Sequence, residues 1–120
     1  MKNLSFIAGL VLTASFTLPV SAVDWYRWRG PDLNGISQET GWQAQWPAAG
    51  PKQLWKASIG TGFASMSVSQ GRVYAMGNEN NTDTLWCFDA NTGAVVWKHS
   101  YACPIEAKQH EGGPCATPTV

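Results

Sequence analysis

The chain has 120 residues, 44% apolar and 13% charged, with eight basic and eight acidic side chains that cancel. That length suits one small domain and is too short for two, and the apolar content excludes a disordered chain. Zero net charge, with no basic cluster larger than Arg27 and Arg29, excludes a protein that tracks nucleic-acid phosphates.

The first 22 residues read as a secretory signal peptide. Lys2 is a short positive start, Leu4 to Leu18 carries no charge, Pro19 breaks the run, and Val20-Ser21-Ala22 is a small-residue cleavage site. The apolar run falls short of the roughly 20 residues that a spanning helix needs. The mature chain is therefore expected to be periplasmic or secreted, with no transmembrane helix. Export permits disulfides. Cys87, Cys103 and Cys115 are an odd set, so at least one has no partner within the chain. Cys103 and Cys115 share a Pro/Gly-containing stretch and could close a short loop. Cys87 sits in a strand-like run and reads as a small buried hydrophobe. No C-x-x-C spacing supports a zinc or thioredoxin-type site.

Residues 23–53 read as an extended and turn-rich segment. Trp25, Tyr26, Arg27, Trp28 and Arg29 alternate aromatic and charged side chains up to Gly30-Pro31, and Asn34-Gly35 marks another turn. Thr40 to Trp46 is expected to make one or two helical turns, with Trp42 and Trp46 on one face and Pro47 as the stop. From residue 54 the pattern becomes short strands. They are Leu54 to Ile59, Ala64 to Val68, Arg72 to Met76, Thr84 to Asp89 and Ala94 to Lys98, separated by Gly60, Gln70-Gly71, Gly77-Asn78 and Asn91-Thr92-Gly93. This spacing predicts an all-β domain.

An internal repeat organises these strands. Gly60 to Val68 aligns with Gly112 to Val120 at an offset of 52, and Leu54-Trp55-Lys56-Ala57-Ser58 aligns with Val96-Trp97-Lys98-His99-Ser100 at an offset of 42. The difference places a loop insertion between Tyr101 and Glu111. A period in the forties with about four strands per unit is that of a β-propeller blade. The expected organisation is a signal peptide at 1–22, an extended segment at 23–53, a first blade at 54–111 and the start of another at 112–120. One blade leaves both faces open, so this chain is expected to be the N-terminal part of a longer protein, with the remaining blades as its first partners. The seven tryptophans, all beyond residue 24, are then expected to form the blade-packing core.

Cys87-Phe88-Asp89-Ala90-Asn91-Thr92-Gly93-Ala94-Val95-Val96-Trp97 resembles the tryptophan-docking motif of pyrroloquinoline quinone (PQQ)-type propeller repeats, Ala-x-Asp-x-x-Thr-Gly-x-x-x-Trp. It matches at Asp89, Thr92, Gly93 and Trp97, and Cys87 replaces the motif's alanine. The segment Asp24 to Pro31 with Asn34-Gly35, together with Gly71 to Tyr74 and Thr117 to Val120, is similar to exported bacterial PQQ-like propellers over nearly the whole mature chain. The resemblance implies structural roles. Asp89 accepts turn amides, Gly93 offers positive φ and a bare peptide face, and Trp97 stacks on the glycine peptide of a neighbouring blade.

The family includes quinoprotein dehydrogenases, which use PQQ, Ca²⁺ and an aspartate base, and non-catalytic binding propellers. No adjacent cysteine pair is present, and no catalytic, cofactor or metal residue can be named here. Glu106 and Glu111 read as loop acids, His110-Glu111 as too little for a metal site, and His99 as a strand-end residue. Gly60-x-Gly62 has no helix pattern after it, so a dinucleotide loop is excluded. The sequence favours a binding or scaffold propeller, with a protein partner, over PQQ-dependent oxidation of an alcohol or sugar.

Overall fold

The computed structural model describes residues 23–108 and 111–120. The expected signal peptide and His110 lie outside the described residues. The fold is all-β: β1 (Ser67–Ser69), β2 (Arg72–Glu79), β3 (Thr82–Asp89) and β4 (Val95–Ala102) form one antiparallel sheet in the order β1-β2-β3-β4. No described residue is helical, so no helix here is long and apolar enough to cross a membrane.

Turn chemistry fixes the meander. Gln70 and Gly71 have φ of 49° and 71°, and Asn80 and Asn81 have φ of 52° and 59°. Two successive positive φ values make the two-residue turn whose twist suits a hairpin, and Asn and Gly are the residues that tolerate it. The registers follow, with Ser69 opposite Arg72 and Glu79 opposite Thr82. Between β3 and β4 the pairing slips: Cys87 faces Trp97 but Phe88 faces Val95, which leaves Val96 as a bulge.

The register divides the side chains between two faces. One carries Ala75, Trp86 and Lys98 in a row, with Phe88 beside them. Trp86 and Phe88 stack at 5.8 Å and 9°, Lys98 Nζ lies 4.9 Å from the Trp86 ring, and Trp55 covers Phe88 at 5.8 Å. The other carries three cross-strand rows: Tyr74-Cys87-Trp97, Met76-Leu85-His99 and Asn78-Asp83-Tyr101. Small, buried Cys87 lets Tyr74 and Trp97 approach across it to 6.0 Å. The buried apolar core is small, comprising Ala75, Cys87 and Phe88 among the described residues.

Segments outside the sheet brace β1 and the end of β2. Thr61 pairs with Asn78 through two backbone hydrogen bonds of 2.9 and 2.7 Å. The N-terminal segment runs between equivalent positions of the repeat: Val68 N donates to Trp25 O and Val120 N to Tyr26 O, both at 2.9 Å. Gly60 and Gly112, also equivalent, share positive φ of 86° and 82°. The two copies touch where Phe63 N and Ala64 N both donate to Pro114 O.

Several expectations need correction. Thr40 to Trp46 makes no helical turn, and Trp42 and Trp46 are 74% and 64% exposed. With no apolar surface opposite that face, two indoles alone do not hold a short helix. Leu54 to Ile59 forms no strand; the segment makes a single bridge to β2 just beyond it, from Thr61 to Asn78. Trp55 and Ile59 are half-buried, but Ala57, on the same alternating face, is exposed. The stretch Ala64 to Val68 narrows to β1, and only Trp25 of the aromatic N-terminal run pairs with the sheet. The tryptophans do not form the buried core. Trp28, Trp42, Trp46 and Trp97 are exposed, and Trp25, Trp55 and Trp86 are half-buried.

Candidate functional site

The β3–β4 connection is a built turn. Asp89 Oδ1 accepts from Asn91 N at 3.1 Å, Thr92 N at 3.0 Å and Thr92 Oγ1 at 3.0 Å, while Gly93 N donates to Asp89 O at 2.9 Å. Asp89 Oδ2 takes Arg72 at 2.8 Å. Gly93 has φ of 71° and lies directly under an indole: a Cβ placed there would stand 2.6 Å from the Trp55 ring. Trp55 Nε1 donates to Ala90 O at 2.8 Å, which fixes the ring over the turn. Trp55→Phe keeps most of the stack but drops this bond, so we expect a loss of about 1 kcal/mol in denaturant unfolding.

The ring on Gly93 is thus Trp55, the residue aligned with Trp97 in the repeat. Trp97 rests against Tyr74 and remains 43% exposed. The pairing was missed in the sequence, although the offset of 42 between the two tryptophans carried the signal.

Hydrogen bonds from Thr92, side chain then backbone, hold the Asp89 carboxyl below its ordinary range, with Asn91 and Arg72 assisting. A depressed folded value means a contribution that is full above the unfolded value near ~4 and is lost as pH falls through the folded one. We expect the contribution of Asp89 to thermal stability to be full and independent of pH near neutrality and to decline below about pH 4. The Asp89→Asn variant, melted across the same range, should lose that part of the acid dependence.

The second site lies at the far end of the other face. Asn78 Nδ2 donates to Asp83 Oδ1 at 2.7 Å and to Cys103 O at 2.8 Å, and Tyr101 OH donates to Asp83 Oδ2 at 3.3 Å. Asn78 and Asp83 are 2% and 5% exposed. They line a cavity of about 300 Å³ together with Cys103, Glu106 and the Gly112–Pro114 turn. The Cys103 thiol is pushed up by its hydrogen bond to Asp83 and by burial, and the Tyr101 hydroxyl by burial and then by Asp83. Both therefore stay protonated and donate to this carboxylate. The break expected at Gly77-Asn78 is instead part of β2, and the turn at Asn80-Asn81 pairs Asn78 with Asp83.

Cys103 and Cys115 are free thiols in this structure, as is buried Cys87. Cys103 lines the cavity, and Cys115 is exposed with Sγ 3.5 Å from Gly113 O. Glu111 and His99 are exposed. No three His, Cys, Asp or Glu side chains among the described residues converge to hold a metal ion, so these residues do not supply a carboxylate set for Ca²⁺. No protein-family model, curated protein or solved structure matches the chain.

Proposed function

We propose that the chain is part of an exported β-propeller repeat protein of the PQQ-like type, and that it serves as a binding or scaffold propeller. In this reading the four-stranded sheet is one blade. The observation that carries it is Trp55 lying on the Gly93 peptide with its indole nitrogen on Ala90 O. That contact seats Trp55, at the start of the first unit, on the turn that joins β3 to β4. Trp97, its equivalent, then requires the turn of a further unit, and the half-open face around it is where that unit docks.

The residues that support the reading are structural. Asp89, Thr92 and Gly93 shape the receiving turn, while Trp55 and Trp97 supply the docking rings. Binding then falls to loops and to the channel formed where several blades meet. Titration of the native exported protein with PQQ and Ca²⁺ tests the assignment. The expected result is no quinone absorbance retained after gel filtration and no dye reduction with alcohols or sugars. Retained quinone with alcohol-dependent dye reduction would replace the scaffold reading with a quinoprotein dehydrogenase.

A further inference from the structure

We propose that the loop at 113–116 is a docking site for a further repeat unit of this protein, with the Cys115 and Ala116 amides taking one backbone carbonyl of that unit. The inference rests on the reading of the sheet as one repeat unit. It adds to the Trp97 contact a second, separate point of attachment.

One such contact is already made within the chain. The successive amides Phe63 N and Ala64 N converge on the Pro114 carbonyl at 2.8 and 3.0 Å. The two equivalent loops meet backbone to backbone: a Cβ at Gly62 would stand 3.2 Å from Pro114 O, and one at Gly113 2.7 Å from Thr61 O. The repeat offset of 52 carries Phe63 and Ala64 onto Cys115 and Ala116. Cys115 and Ala116 are exposed, and their amides have no hydrogen-bond partner among the described residues. Water serves an exposed amide, so exposure alone assigns no partner. What assigns one is that the equivalent pair is committed to the loop that opens the following unit.

The occupant follows from what each equivalent position holds. Thr61, equivalent to Gly113, bridges the end of β2 at Asn78, and Trp55, equivalent to Trp97, covers the Gly93 turn. A second copy of this unit does not fit. Its Asn78 edge holds its own Thr61, and its Gly93 turn holds its own Trp55. Its Pro114 carbonyl already accepts two amides, which is the capacity of a backbone oxygen. The contact needs a unit whose turn, strand end and loop carbonyl are vacant. A successive unit of the same chain meets that need, because the contact seen here already joins successive loops along one chain.

The test is hydrogen exchange at single amides of the native protein isolated from its own cells, with Phe63 and Ala64 as internal references and Trp97 oxidation read on the same sample. Cys115 and Ala116 should exchange at least about a hundredfold more slowly than in the urea-unfolded protein, and within about tenfold of the reference pair. Thr117 should stay fast, because Ser65, its equivalent, has no amide partner among the described residues. Fast exchange at Cys115 and Ala116 with Trp97 shielded would overturn this docking site and leave the propeller reading standing. Fast exchange with Trp97 also open would overturn both. Equal slowing of Thr117 would show general cover in place of this contact and overturn it. Protection that falls on dilution would overturn it in favour of a second copy.

Discussion

Gly93→Ala is expected to destabilise the protein by about 3 kcal/mol, against about 1 kcal/mol for the same change at Gly71. The two glycines have the same φ of 71°. Both therefore incur the cost of placing an L residue in the left-handed region. They differ in what lies above them: a Cβ at Gly71 meets nothing within 4 Å, whereas one at Gly93 meets the Trp55 ring at 2.6 Å. The difference, about 2 kcal/mol, isolates the displacement of the indole from the peptide. Urea unfolding followed by tryptophan fluorescence measures both variants. In Gly93→Ala the folded-state emission should also shift to the red as Trp55 lifts from the turn and loses Ala90 O. Equal losses at the two positions would show that the stack contributes nothing.

Gly77→Ala is expected to cost about 3–4 kcal/mol through a different mechanism. Gly77 has no positive φ, so the backbone itself accepts alanine. The added methyl would instead overlap the Ile59 carbonyl, which is backbone and held in place by the neighbouring bridge. To make room, the 59–61 segment must leave the edge of β2, breaking the paired hydrogen bonds between Thr61 and Asn78. Each is worth about 1 kcal/mol net, and the rest is overpacking. Hydrogen exchange reads the effect directly: the Asn78 amide should change from protected to fast while the Tyr74 region of β2 stays protected. Retained protection at Asn78 would contradict this account of the edge.

The strands and turns were legible in the sequence because they rest on local chemistry. Gln70-Gly71 was legible as a turn, and alternation in Arg72 to Met76 and Thr84 to Asp89 sets the faces; the break expected at Gly77-Asn78 was misplaced, because β2 runs on to Glu79 and turns at Asn80-Asn81. The turn residues Asp89, Thr92 and Gly93 were legible for the same reason. What could not be read was which residues meet across the sheet. Trp55 and Trp97 are equivalent in sequence, but only the chain path sets Trp55 on Gly93. The strand pattern of Leu54 to Ile59 misled because alternation does not say whether a backbone ladder forms; the segment meets β2 only at its end, through Thr61 and Asn78. Counting tryptophans misled in a similar way, since composition does not say whether indoles meet one another or wait on an open face. The polar row of Asn78, Asp83 and Tyr101 needed the register, and the cavity it shares with Glu106 needed the placement of residues 103–106 and 112–114.

The central claim is that the Trp97 face receives another repeat as Trp55 receives the Gly93 turn. Oxidative footprinting of the native protein, isolated from its own cells, tests this at single-residue level. The account predicts that Trp97 is protected to the same degree as Trp55, while both are modified rapidly once the protein is unfolded in urea. Modification of Trp97 in the native protein at the rate of the unfolded chain, with Trp55 still protected, would contradict it.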